Sequence, residues 1–241
     1  MTLKRYIPNL LTLGNLFCGT VATIFAVQGD FSSAGLFVVI GIAFDFFDGF
    51  AARLLNVSGE LGKQLDSLAD MVTSGVVPGI IVYQLFIENN SNVVATNTVN
   101  YLPFLGLFLT LGAGYRLAKF NIDTRQTDSF IGMPTPAMSL FVISLPLIQE
   151  YSTIEFVQNL IANNYFLIAI TLLLTYLMNA EISLFSLKFK TYSLKNNLMK
   201  YFFLVLSTGM LVFLEYVSVP LIILLYVFLS LIRNTRKKSA S

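Results

Sequence analysis

The chain has no histidine, a single cysteine, and charge on only 12% of its 241 residues. Without an imidazole there is no histidine to activate a nucleophile, ligate a metal or relay a proton, so carboxylates are left as the general bases near neutral pH. Cys18 cannot close an internal disulfide, and in an apolar helix it reads as a small buried hydrophobe rather than a reactive thiol. There is no repeat with a period of about 20–50 residues and no low-complexity linker, so a single domain over residues 1–241 is the economical organisation.

What remains is largely apolar. Hydrophobic residues make up 56% of the chain and the mean hydropathy is +0.74, the composition of a polytopic membrane protein. A hydrocarbon core of ~30 Å needs roughly 20 residues of helix. Candidate segments fall at about 8–28, 33–55, 63–87, 101–119, 132–149, 164–182, 200–215 and 218–233. The expected fold is therefore an all-α transmembrane bundle of about eight helices, with only the slight Glu215 to Pro220 turn between the last two. The N-terminus has two basic residues before an apolar run, like a signal peptide. Asn9, Thr12 and Asn15 interrupt that run and no small-residue cleavage site follows, so it reads as a retained first helix.

Lys and Arg are missing from every second connection. They occur at Lys4 and Arg5, at Arg53 and Lys63, at Arg116, Lys119 and Arg125, at Lys188, Lys190, Lys195 and Lys200, and at Arg233, Arg236, Lys237 and Lys238. The connections around Asp30, Glu88 to Asn100, Glu150 to Asn164 and Glu215 have none. By the positive-inside rule both termini are expected in the cytoplasm of a multi-pass protein of the cell membrane, with an even number of spans.

Against this background, residues 45–70 (DFFDGFAARLLNVSGELGKQLDSLAD) hold four carboxylates, and acids at bilayer depth are costly enough to need a function. Asp45 and Asp48 are spaced i, i+3 and Asp66 and Asp70 i, i+4, so each pair projects from one helical face. Asn56, Ser58 and Gly59 between them supply a turn that folds the second helix back on the first. The charge placement puts all four near the cytoplasmic side. No run of basic residues is close enough to neutralise them, so divalent cations are the simplest compensation.

Read as D-x2-D-G-x2-A-R-x8-G-x3-D-x3-D, the stretch carries Asp45, Asp48, Gly49, Ala52, Arg53, Gly62, Asp66 and Asp70 at the fixed offsets of a known signature. In this the chain resembles the CDP-alcohol phosphatidyltransferase family. The resemblance implies Asp45, Asp48, Asp66 and Asp70 as ligands of Mg²⁺ or Mn²⁺, two ions in all, with Asp70 also the general base. It implies CDP-diacylglycerol contacts from Gly49, Ala52, Arg53 and Gly62, from Ser58 or Gly59 in the loop, and from Asn9 and Thr12 in the first helix. A homodimer is implied as well, and no nucleic-acid partner.

Three further stretches, PNLLTLGNLFCG (Pro8 to Gly19), YRLAKFN (Tyr115 to Asn121) and FIGMPTPA (Phe130 to Ala137), are similar to the serine-using branch of that family. The reaction so implied moves a phosphatidyl group from CDP-diacylglycerol to the hydroxyl of L-serine, giving phosphatidylserine and CMP. The carboxylate of serine wants a cation, and Arg116, Lys119 and Arg125 are the unassigned cations after the fourth helix, Arg116 being the preferred one. Pro134 and Pro136 are expected to distort the start of the next helix.

Each assignment has a competing reading. Arg53 can instead snorkel as a topogenic anchor, Gly62 can serve helix packing, and the three acceptor-side cations can bind anionic lipid. The acceptor can be glycerol 3-phosphate or inositol phosphate in place of serine. A divalent-cation transporter would also use clustered acids, but the later helices offer almost no acids to continue a pathway.

Overall fold

The computed structural model describes residues 4, 6–57, 59–90, 100–123, 130–185 and 194–238, and these are helical apart from short connections and one two-residue strand pair. The helices are α1 (Tyr6–Val27), α2 (Phe31–Leu55), α3 (Glu60–Met71), α4 (Val77–Asn89), α5 (Phe108–Ile122), α6 (Thr135–Tyr151), α7 (Glu155–Ile161), α8 (Asn164–Asn179) and α9 (Leu194–Lys238). The expected all-α class holds. Of the site positions expected from sequence, Ser58 and Arg125 lie outside the described residues.

Among the described residues four helical stretches are long and apolar enough to cross a membrane: Tyr6–Val27, Phe31–Leu55, Glu60–Asn89 and Asn197–Asn234. The pair α7 and α8, bent by 75°, makes a fifth if it is one span. This is fewer than the eight expected from hydropathy, for identifiable reasons. The segment expected at 101–119 is divided between a 3₁₀ turn (Leu102–Leu107) and the 15-residue α5, and that expected at 132–149 becomes the 17-residue α6, both shorter than the roughly 20 residues of one crossing. The last two expected segments are joined in α9, which breaks where they were divided, at Glu215 with φ 44° and ψ −121°. Asn197–Asn234 spans 38 residues, the length of two crossings at about 1.5 Å per residue.

The ends of α2 are set locally. Asp30 accepts from Ser33 N at 3.0 Å and caps its first turn. Asn56 takes the left-handed conformation (φ 51°, ψ 46°) while Val57 N donates to Ala52 O at 3.0 Å, ending the helix and turning the chain toward α3. From Glu60 the chain stays helical to Asn89, but the turn Val72–Val76 is π-helical, and Thr73, Ser74 and Gly75 within it are buried.

The first helix packs along α2 and also against α3 and the π turn, so it touches both acid-bearing helices. Small residues permit this. A Cβ at Gly19 would stand 2.9 Å from the backbone of Thr73, and one at Gly41 would stand 2.9 Å from Asn15 Oδ1. On the other side, Gly75 and Gly79 admit Ala113 and Thr110 of α5, and Thr110 Oγ1 donates to Gly75 O at 3.0 Å. A core of Ala22, Val38, Ile81, Phe86, Leu109, Met138, Val142, Leu167 and Leu174 fills the centre. Phe17, Phe46, Leu111 and Phe213 stand on the outer surface, as apolar residues do when the surrounding solvent is lipid.

Pro134 and Pro136 do not distort α6. Pro134 is its N-cap residue and Pro136 lies in the first turn, where a missing N–H costs no helical bond. The short antiparallel pair Phe130–Ile131 with Ser183–Leu184 was not visible in the sequence. Gly132 next to it has φ 75°, and a side chain there would run into Met178 O.

Candidate active site

Asp45 and Asp48 project from the second half of α2 and Asp66 from the middle of α3. Ligand oxygens of these three lie within 4.8 Å of one another. Among the described residues the one salt bridge is Lys119–Glu181, so none of these acids has a cation within ion-pair distance. Three partly buried carboxylates, hard oxygen donors without a counter-charge, suit a divalent cation of the Mg²⁺ or Mn²⁺ type.

Helix α1 supplies hydrogen-bond donors to the acids. Thr12 Oγ1 lies 2.5 Å from Asp48 Oδ2 and 3.0 Å from Pro8 O. One turn on, Asn15 Nδ2 donates to Asp70 Oδ1 at 3.2 Å. Asn15 Oδ1 accepts from Thr73 Oγ1 at 2.7 Å. Asp70 thus sits beside the carboxylate triad but is held separately. Asn15 and Thr73 were not among the residues expected from the signature. The available signal was the buried stripe Pro8, Thr12, Asn15, Gly19, Ala22 on α1, polar at its N-terminal half.

Other expected contacts are near this centre. The Arg53 side chain is exposed and folds back over Gly49, its Nη1 lying 3.4 Å from where a Cβ of Gly49 would be, and its charge acts on Asp48. Ala52 lies one position before it, where its carbonyl closes α2. Gly59 is the N-cap residue of α3 in extended backbone, and Asn9 Oδ1 lies 3.4 Å from where a Cβ of Gly62 would be. A side chain at position 49 would press on Arg53, and one at position 62 on Asn9.

The acceptor-side cations separate. Arg116 is buried in α5, 7% exposed, with its guanidinium 5.9 Å from the Phe120 ring centre and its Nε without a partner. Its charge and that of Asp70 act on each other. Lys119 instead pairs with Glu181 at 3.5 Å on the surface. Both line a recess closed by Asp123, Ile131 and Asn179. Next to it, Lys63 Nζ donates to Asn121 O at 2.5 Å and Ser67 bonds the Asn121 side chain, tying α3 to α5.

The family model for CDP-alcohol phosphatidyltransferases matches residues 5–177. The chain is 39% identical over 145 residues to the CDP-diacylglycerol–serine O-phosphatidyltransferase of Bacillus subtilis (strain 168), covering 58% of this chain and 75% of that protein. It is 36% identical over 145 residues to the enzyme of the same name from Helicobacter pylori (strain J99), covering 59% of this chain and 58% of the relative. The archaetidylserine synthase of Methanothermobacter thermautotrophicus is 29% identical over 152 residues, 62% of this chain and 61% of that one. The match covers α1 through most of α8, and with it every described residue of the acid cluster and of the recess but Met178, Asn179 and Ala180; this chain belongs to the CDP-alcohol phosphatidyltransferase family.

Proposed function

We propose that this protein transfers the phosphatidyl group of CDP-diacylglycerol to the hydroxyl of L-serine, releasing CMP, as one integral-membrane domain of the cell membrane with its acids toward the cytoplasm. The observation that carries the reading is the convergence of Asp45, Asp48 and Asp66 within 4.8 Å, with Asp70 held beside them. The names of the Bacillus and Helicobacter relatives favour serine as acceptor.

Asp45, Asp48 and Asp66, with Asp70 adjacent, would hold Mg²⁺ or Mn²⁺, two ions in all. When bound, such ions neutralise charge on the pyrophosphate oxygens and on the departing CMP. Arg53 presents a planar fork to phosphate, and Gly49 and Gly62 leave room for the nucleotide to approach. Asn9, Thr12, Ala52, Gly59 and Ser58 complete the CDP-facing set. Asp70 takes the proton of the serine hydroxyl as its oxygen forms the new bond to phosphorus. The bond from phosphorus to the CMP oxygen breaks, and CMP leaves with that electron pair.

The buried guanidinium of Arg116, with an unpartnered Nε, binds the serine carboxylate from the recess between α5 and α8. Lys119, which lines the same recess, adds positive potential there, and Arg125 is proposed as a further cation for the acceptor. The enzyme acts as a homodimer in this reading. The test is CMP release by purified protein from CDP-diacylglycerol with serine, glycerol 3-phosphate or inositol phosphate. Release with serine alone is expected. If only a phosphorylated alcohol supports it, the transferase class survives and the acceptor is wrong; if no acceptor supports CMP release and the protein reconstituted in vesicles carries a Mn²⁺ flux, the transporter reading replaces it.

A further inference from the structure

We infer that Asn15 is a positioning residue for proton transfer, its amide oriented by Thr73 so that it holds the carboxylate of Asp70 toward the acceptor hydroxyl. This rests on the reading of Asp70 as the base. Asn15 is completely buried on α1, where an apolar side chain would pack without any polar partner to satisfy. Its two ends are told apart by their partners. Asp70 is an acceptor when ionised, so the atom 3.2 Å from it is the amide nitrogen, and the amide oxygen faces the Thr73 hydroxyl at 2.7 Å. Hydroxyl, amide and carboxylate therefore form one directed chain of donors.

The fold makes room for this chain. Gly41 of α2 leaves space against Asn15 Oδ1, and Gly19 of α1 lets the helix approach Thr73 closely. Thr73 lies in the π-helical turn, an irregularity found mainly where function requires it, three residues after Asp70. One amide thus bridges two positions about one turn apart on the same helical stretch, which restrains the direction of the Asp70 side chain. Without it the carboxylate is free to rotate away from the acceptor.

Thr73→Val removes only the hydroxyl and keeps the shape, so it separates positioning from packing. Turnover should fall roughly tenfold or more, as misdirected catalytic groups do, while KM for CDP-diacylglycerol and for serine changes less than about twofold. Thr73→Ser should restore turnover. Asn15→Leu should show the same kcat-limited loss, and Thr73→Val added to it should cost nothing further, since both cut one chain. Wild-type turnover in Thr73→Val, losses that multiply in the double variant, or a loss confined to KM for CDP-diacylglycerol would each overturn the assignment. If Asp70→Asn itself turns over like wild type, the base reading fails and this one with it; a normal dependence on Asp70 with an unaffected Thr73→Val overturns the positioning role alone.

Discussion

Thr12 Oγ1 on α1 stands 2.5 Å from Asp48 Oδ2 on α2, so the first helix reaches directly into the acid cluster from 36 residues away. Asp48 is the most buried of the four acids, and this hydroxyl orients the carboxylate without adding charge. Partners of metal-holding groups typically affect metal affinity or activity by about 10–100-fold. Thr12→Val, which keeps the shape, should therefore weaken Mn²⁺ binding within that range and leave the melting temperature nearly unchanged. Mn²⁺ binding followed by electron paramagnetic resonance checks it, and wild-type affinity would mean that the Thr12 hydroxyl serves only its bond to Pro8 O within its own helix.

Asp45→Asn, Asp48→Asn and Asp66→Asn should each lose turnover and Mn²⁺ binding while the protein stays folded. Each change removes one of three like charges whose oxygens lie within 4.8 Å, so repulsion falls as the ligand is lost. Thermal unfolding in detergent should show equal or higher stability without added metal. Full CMP release in excess chelator would exclude metal assistance.

For Arg116→Ala the loss should appear in the apparent KM for serine, with little change for CDP-diacylglycerol. A lost charge-assisted hydrogen bond costs roughly 1.5–3 kcal/mol, about 10- to 150-fold. Arg116→Lys should restore little, because an ammonium cannot reproduce the planar fork. Steady-state kinetics against each substrate separates the two KM values; an unchanged KM for serine would return Arg116 to a structural role.

Packing gives a stability prediction. A Cβ at Gly19 would stand 2.9 Å from both Cα and N of Thr73, backbone atoms that cannot swing aside. Gly19→Ala should destabilise the protein by about 1–3 kcal/mol, the usual cost of overpacking. It should also lower turnover, since the displaced turn carries Thr73. A melting temperature equal to wild type would show that α1 and the π turn can part at no cost.

Topology can be read by labelling. Cys18 is buried and is the only native cysteine, so the background is low. Cysteines introduced at the exposed positions Asn100 and Thr153 should react from outside intact cells, and at Asn56 and Glu181 only after permeabilisation. The reverse pattern would put the acids on the outer side.

Much of the site was legible in advance because helical periodicity is local. The spacings 45/48 and 66/70, with Asn56 and Gly59 between them, suffice to predict two acid-bearing helix faces and the turn that joins them. The polar residues of α1 were visible as a stripe, but their partners were not. Hydrogen bonds such as Asn15 to Asp70 join residues 55 apart and depend on how closely two helices approach. That approach is decided by Gly19, Gly41 and the π turn.

The sequence by itself determined the all-α class and the identity of the acid cluster, since composition, hydropathy and fixed offsets are properties of neighbouring residues. It overcounted the long spans, because hydropathy does not register the 3₁₀ turn before α5. Only the tertiary structure decided that Thr12 and Asn15 serve different acids, that Arg116 is buried while Lys119 pairs with Glu181 at the surface, and that residues 130–131 pair with 183–184. Each of these depends on distances between segments far apart in the chain, which are set when the helices pack and small residues let particular pairs come into contact.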